Sequence, residues 1–148
     1  MSVYWKIGIG LPDVDLGREK IMAQNTSVSE PAQFMEIGYL CHLKDPANNS
    51  LELLQDTFEK NFVKPEPQPD LTLGQPGKIG QITIRSSNID KTLALYEKAL
   101  GMKLLSIQSV DKYGFVLYFL AFTEETPPNS EDLNAVENRD GVVIFGHF

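Results

Sequence analysis

Basic residues are scarce in this sequence. Its 148 residues include 13 lysines and arginines against 20 aspartates and glutamates, which gives a formal net charge of −7 at pH 7. Nucleic acids and anionic membrane surfaces are bound through clusters of lysine and arginine, and no such cluster is present. The sequence therefore predicts no nucleic-acid partner, although a single basic pocket for a carboxylate remains compatible with it.

Cysteine, histidine and long apolar runs are also rare. Cys41 is the only cysteine, so neither an intrachain disulfide nor a cysteine-based zinc motif can form, and its place in an alternating run predicts a buried, unreactive thiol. The longest apolar run, 115–122, is too short to cross a bilayer. The beginning of the sequence shows no basic segment followed by an apolar stretch. We therefore expect a cytoplasmic protein that does not bind membranes.

Alternation of apolar and polar residues marks the strands of the first half. It predicts strands over 3–11, 36–44 and 50–55, with a shorter extended segment over 27–34 that Pro31 keeps at an edge. Asp13 is a suitable N-cap for a helix that continues to about Gln24. The first half is thus predicted to run strand, helix and three strands.

The same order of elements returns after a segment rich in proline. Residues 64–77 contain four prolines, a linker composition, and strands are predicted over 80–86, 102–110, 114–123 and 141–148. Ser87 or Asn88 caps the intervening helix, Gly101 ends it, and 126–140 form a polar loop. This repetition predicts a first βαβββ module over 1–62, a linker over 63–77 and a second module over 78–148. The predicted fold class is α+β, with two βαβββ modules forming paired curved sheets around a cleft.

Three stretches of the second module resemble the N-terminal half of glyoxalase I, of the vicinal oxygen chelate superfamily. They are Gly80-Gln81-Ile82-Thr83-Ile84-Arg85, the helix end Leu95-Tyr96-Glu97-Lys98-Ala99-Leu100-Gly101-Met102, and the strand Phe115-Val116-Leu117-Tyr118-Phe119-Leu120-Ala121-Phe122. The first module resembles the C-terminal half through Ile9-Gly10-Leu11-Pro12-Asp13-Val14 and through Asp45-Pro46 followed by Ser50-Leu51-Glu52-Leu53-Leu54. The two halves thus come in swapped order.

The resemblance implies a site for one divalent metal ion (Ni²⁺, Zn²⁺, Mn²⁺ or Fe²⁺) with four side-chain ligands. Gln81 matches one ligand, and Glu52 matches another that also serves as the catalytic base. Lys6 stands where the family usually has histidine, and the fourth position falls near Ile144. A protonated lysine and an isoleucine have no lone pair to donate, so the metal site is predicted to be incomplete. One alternative is therefore that no metal is bound.

The resemblance also implies substrate-binding residues. Arg85 matches a position that contacts the carboxylate of a glutathione-type substrate, and Leu117 and Phe119 match residues that line the apolar pocket. His42 is predicted to stand opposite Glu52, either as a replacement ligand or as its hydrogen-bond partner, with the second favoured. His147 is expected to be a histidine near a frayed end. Around Glu137, Asn138 and Arg139 the sequence departs from the family, which puts the last strand and the fourth ligand in question.

Two functions follow from the resemblance. The first is a lyase or isomerase of the glyoxalase I (lactoylglutathione lyase) type, or a divergent relative, that acts on a small carbonyl compound or thiol conjugate. The alternative is a non-catalytic small-molecule-binding protein of the same fold, of the bleomycin-resistance kind. A ring-cleaving iron dioxygenase is disfavoured. It needs two histidines and a carboxylate, and the sequence has no histidines other than His42 and His147. The resemblance also implies a homodimer.

Overall fold

Strands and helices follow one another in the order βαβββ twice along the chain. The structure is a computed structural model that describes residues 3–35, 37–57, 60, 63–124 and 142–148. The elements are β1 (Tyr4–Leu11), α1 (Val14–Met22), β2 (Ala32–Phe34), β3 (Gly38–Lys44), β4 (Ser50–Gln55), β5 (Lys78–Arg85), α2 (Ile89–Leu93), β6 (Lys103–Val110), β7 (Phe115–Ala121) and β8 (Val142–His147).

Contacts divide these elements into two units. The first unit is Lys6–Gly80, and the second is Met1–Trp5 together with Gln81–Phe148. The strand order is β2-β3-β4-β1 in the first unit and β6-β7-β8-β5 in the second. In both, the first strand of the module pairs in parallel with the last, and the other pairs are antiparallel. The prediction of an α+β fold built from two βαβββ modules is thus confirmed.

Helix α1 begins where three side chains satisfy its first backbone groups. Asp13 is the N-cap and accepts from the Leu16 amide at 3.1 Å. Gln55 accepts from the Val14 amide at 2.9 Å, and Gln75 accepts from the Asp13 amide at 2.6 Å. These acceptors replace the intrahelical partners that the first turn lacks, so the start of the helix is held from within the unit. The helix ends at Met22, two residues before the predicted end.

The apolar side of α1 packs on one face of its sheet. The buried core of the first unit is formed by Leu11, Val14, Val28, Tyr39, Cys41 and Leu53. Leu73 packs against this core, and the Gln75 side chain is 4% exposed. The stretch predicted as a linker, 63–77, is therefore part of the first unit over these residues. The predicted module boundaries remain a proposal about how the chain is organised.

The helix of the second unit is predicted as one continuous α-helix but changes its winding. After Leu93 it continues as a π-helical segment, Ala94–Ala99, in which the Leu100 amide donates to the Leu95 carbonyl at 3.0 Å. Tyr96 packs on Phe145 with ring centroids 4.6 Å apart. Gly101 ends the helix at φ +78°, a left-handed conformation that glycine adopts without strain.

The end of the chain forms a regular strand. β8 pairs with both β5 and β7, so the departure from the family pattern does not remove the last strand. The predicted polar loop 126–140 lies outside the described residues. Among the residues that are described, none of the helices is long and apolar enough to cross a membrane.

Candidate functional site

Three polar side chains lie together on one face of the first unit. Glu52 on β4 is paired in register with Gly8 on β1 and with His42 on β3. Lys6 lies two residues before Gly8 and therefore points to the same face. Because Gly8 has no side chain, the lysine reaches Glu52 without an intervening group.

The Glu52 carboxylate is the centre of this cluster. Its Oε2 atom contacts Lys6 Nζ and lies 2.9 Å from His42 Nε2. The side chains are 1% exposed for Glu52, 20% for Lys6 and 47% for His42. Burial opposes ionisation of Glu52, yet the hydrogen bond from His42 and the nearby Lys6 charge hold the pKa of this carboxyl below its usual value. We conclude that Glu52 is an ionised acceptor and that His42 donates to it, as the sequence favoured.

The corresponding face of the second unit carries the other predicted site residues. Gln81, Thr83 and Arg85 alternate along β5, and their side chains share this face. Two rows cross the sheet at these positions. One row is Thr83, Ile144, Phe119 and Ser106, and the other is Arg85, Gly146, Leu117 and Gln108.

Polar and apolar groups are mixed on this face. Leu117 and Phe119 are 7% and 1% exposed, and they form the apolar part. Gln108 Nε2 donates to Ser106 Oγ at 2.7 Å, and both side chains are buried. Thr83 Oγ1 is buried without a hydrogen-bond partner among the described residues. The face thus combines an apolar surface with buried hydrogen-bonding groups, as small-molecule sites do.

Arg85 is held by the beginning of β1. Its Nη1 donates to the Tyr4 carbonyl at 2.7 Å, and its guanidinium lies 5.0 Å from the centroid of the Trp5 ring. The Trp5 ring packs directly on Gly146, where a Cβ atom would have no room. These contacts orient the guanidinium, and its predicted role as a carboxylate contact remains a proposal.

The register relates the two modules position by position. In the first unit Glu52 pairs with Gly8, two residues after Lys6, and in the second Ile144 pairs with Thr83, two residues after Gln81. Ile144 therefore holds in the second unit the position that Glu52 holds in the first. It is 2% exposed and has no donor atom, so it supplies no metal ligand.

The donor chemistry of the first unit does not fit a divalent metal. Lys6 brings a positive charge to the Glu52 carboxylate, and a protonated lysine has no lone pair. His42 Nε2 is hydrogen-bonded to the same carboxylate oxygen, Oε2, as well, so both of these contacts are with hydrogen-bond donors. Within the described ranges there is no group of three or more His, Cys, Asp or Glu that is placed to hold a metal ion.

The remaining candidates from the sequence have local partners. His147 Nδ1 lies 3.0 Å from the Ser86 carbonyl. Cys41 is 1% exposed, and burial raises the pKa of its thiol to about 11. Sequence reasoning missed the ion pair of Lys6, because Lys6 and Glu52 are 46 residues apart and only the parallel pairing of β1 with β4 brings them together. It also missed Thr83, Ser106 and Gln108, which alternation alone marks only as strand residues.

Known proteins similar to this chain carry the same fold. No protein-family model matches the sequence. The chain is 30% identical over 82 residues to a lactoylglutathione lyase of Oryza sativa subsp. japonica. The matched residues make up 55% of this chain and 23% of the rice protein. The chain superposes on glyoxalase I from Zea mays with a TM-score of 0.68 and 20% identity, over 99% of this chain and 42% of the maize chain. It superposes on methylmalonyl-CoA epimerase from Streptomyces coelicolor with a TM-score of 0.53 and 16% identity, over 99% of this chain and 97% of the epimerase chain.

These similarities confirm the fold expected from the motifs. The chain has the glyoxalase I type of fold. It spans 23% of the rice lyase and 42% of the maize enzyme, and it matches nearly the whole of the epimerase chain. The swapped order of the two halves stays a prediction.

Proposed function

We propose that this chain is a small-molecule-binding protein of the glyoxalase fold whose site works without a divalent metal. The observation that carries the proposal is the buried ion pair between Lys6 and Glu52. Glu52 is the residue that the resemblance makes both metal ligand and catalytic base, and here an ammonium group and an imidazole already bind its Oε2 atom.

Glu52 is poorly suited to abstract a proton from carbon. A general base works best when its pKa lies near the working pH and when it reaches the substrate proton. Glu52 is 1% exposed, and its carboxylate is stabilised by two donors. Protonation of Glu52 by a substrate would break this ion pair, which disfavours an isomerase reaction.

The second unit offers a suitable binding face. Leu117 and Phe119 supply apolar side chains, which are almost fully buried, and Arg85 supplies a guanidinium held in place at one side of them. Gln81, at 9% exposure, adds an amide on the same face. A ligand with an apolar body and one carboxylate or carbonyl oxygen fits this chemistry.

A structure of similar length supports ligand binding by this fold. The Streptomyces coelicolor epimerase, of which the chain matches 97%, has been solved in complex with 2-nitronate-propionyl-CoA. A chain of this size and fold is therefore large enough to hold a small organic molecule.

Metal content is the decisive test of the proposal. We would purify the untagged protein, offer Ni²⁺, Zn²⁺, Mn²⁺ and Fe²⁺ separately, remove the excess and measure bound metal and thermal stability. We expect less than stoichiometric metal with each ion and no activity toward methylglyoxal with thiols. A library of small carboxylates and carbonyl compounds should contain ligands that raise the Tm, and Arg85→Met should weaken those with a carboxylate. Stoichiometric metal with lyase activity would overturn the proposal.

Metal-dependent lyase activity is the second candidate. The similarity to the rice lactoylglutathione lyase favours it, as does the presence of Gln81 and Glu52 at positions that match ligands in the family pattern. Under this alternative Glu52→Gln should abolish both metal uptake and isomerisation of a thiol adduct of methylglyoxal. A variant that retains its metal content would remove Glu52 from the site.

Other expectations from the sequence keep the status of predictions. A thiol conjugate as ligand, a homodimer and a cytoplasmic location belong here, and none of them is needed for the proposal.

A further inference from the structure

We propose that the Lys6 ammonium takes the place of a metal ion in the first unit, and that it blocks a latent metal site formed there by Glu52, His42 and position 6. This inference rests on the proposed metal-independent function. It differs from the metal site implied by the resemblance, because all three positions lie in one unit and one of them is His42.

The charge balance of the buried carboxylate is the first argument. An ionised carboxylate at 1% exposure needs a nearby positive charge, and Lys6 provides it at the Oε2 atom. A divalent ion at the same oxygen would meet the ammonium at close range and be repelled. Lysine and metal therefore exclude each other, and the chain carries the lysine.

The donors around the ammonium are the second argument. His42 Nε2 lies 2.9 Å from the Glu52 oxygen that Lys6 contacts, and the two residues are directly paired on β3 and β4. Two histidines and one carboxylate are a common ligand set for divalent transition metals. The first unit already has one histidine and the carboxylate, so one neutral ligand at position 6 completes the set.

The length of the side chain at position 6 is the third argument. The lysine nitrogen reaches the Glu52 oxygen directly. An imidazole is shorter than a lysine side chain, and a metal–nitrogen bond of about 2 Å makes up the difference. A metal bound to an imidazole at position 6 would thus lie close to where Nζ lies now, within reach of Glu52 and His42.

The inference predicts that one substitution creates metal binding. In Lys6→His the positive charge is removed and a nitrogen lone pair is added, so we expect Zn²⁺ affinity to rise clearly above that of the unmodified chain. Bound Co²⁺ should show the visible absorption of a coordinated ion.

Matched variants separate the latent site from other sources of binding. Lys6→Met removes the charge without adding a ligand and should give a much smaller gain, while Lys6→His combined with Glu52→Gln should lose the gain. If Lys6→His does not fold, Lys6→Gln, which supplies a neutral amide oxygen, should also raise Zn²⁺ affinity over the unmodified chain. Titration calorimetry with Zn²⁺ and Co²⁺ spectra on untagged protein measure these differences.

The outcomes distinguish this inference from the proposed function. A folded Lys6→His with the Zn²⁺ affinity of the unmodified chain overturns the latent site and leaves the metal-independent function in place. A gain that survives Glu52→Gln also overturns it. Stoichiometric metal and lyase activity in the unmodified chain would overturn the proposed function first, and with it the exclusion of metal by Lys6.

Discussion

At the scale of single residues, the ion pair between Lys6 and Glu52 is expected to have a large energetic consequence. Removal of one partner from a buried pair leaves an uncompensated charge, which typically costs about 3–5 kcal/mol. We therefore expect Lys6→Met to lower the free energy of unfolding by this amount. The double variant with Glu52→Gln should lose much less than the two single losses added together. Urea unfolding of the four proteins in a double-mutant cycle measures the coupling, and simple additivity would show that the pair does not interact.

Thr83 is a buried polar residue whose replacement should stabilise the protein, unlike the loss of Lys6. Its Oγ1 is buried without a hydrogen-bond partner in the described part of the chain, and the residue is 1% exposed. Replacement by valine keeps the shape and removes the unsatisfied hydroxyl, so Thr83→Val should stabilise the protein by about 1 kcal/mol. Thr92→Val is the matched control, because Thr92 Oγ1 bonds to the Asn88 carbonyl at 3.0 Å and to Ser86 Oγ at 2.8 Å. A loss of stability in Thr83→Val would reveal a partner for this hydroxyl, and chemical denaturation measures both variants.

Cys41 tests the predicted unreactive thiol. It is 1% exposed, and burial raises its pKa to about 11, so at neutral pH it is a shielded thiol rather than a nucleophilic thiolate. We expect iodoacetamide to modify native protein far more slowly than protein in guanidinium, as followed by mass spectrometry. Equal rates at pH 8 in the two conditions would contradict the burial of this side chain.

At the scale of elements, the start of α1 depends on a side chain distant in sequence. Gln75 accepts from the Asp13 amide at 2.6 Å, donates to the Asp13 carbonyl at 2.7 Å, and is 4% exposed. Gln75→Leu removes both hydrogen bonds and leaves a buried amide unsatisfied, at a cost of about 2 kcal/mol. Gln68→Leu, on an exposed residue of the same stretch, should change stability by no more than about 0.5 kcal/mol. Equal thermal denaturation curves for the two variants would show that residues 63–77 act only as a connection.

The element scale also explains why the predicted strands matched so closely. The prediction for β4 agreed with its observed bounds, Ser50–Gln55, because polar turn residues precede it and alternation continues to its end. The helix after Asn88 was harder to predict, since its first turns are α-helical and its later turns π-helical. Helical periodicity in a sequence does not distinguish these two windings, whose backbone hydrogen bonds differ in span by one residue.

At the scale of the whole molecule, self-association is the property to measure. The resemblance implies a homodimer, and large apolar side chains such as Ile79, Val63 and Phe122 are between 63% and 94% exposed in the chain alone. Burial of such surface would favour association. We expect light scattering after size-exclusion chromatography to give twice the mass of the chain. A monomer at high concentration would remove the homodimer prediction.

The sequence by itself determined the order of the elements, the repetition of the βαβββ module and the fold family. It did so because alternation, caps and turns are local properties, and because the motifs that carry the resemblance are contiguous. It also identified Glu52 with His42 as its neighbour, since the turn between their strands sets the register.

Only the tertiary structure decided what Glu52 is bonded to. Lys6 lies 46 residues away from Glu52 along the chain, and the parallel pairing of β1 with β4 brings the two side chains together. No local pattern fixes that pairing or the burial of the carboxylate, on which its bound partner and its ionisation depend. For the same reason the sequence does not reveal Thr83, whose hydroxyl lacks a hydrogen-bond partner among the described residues because of what surrounds it in the fold.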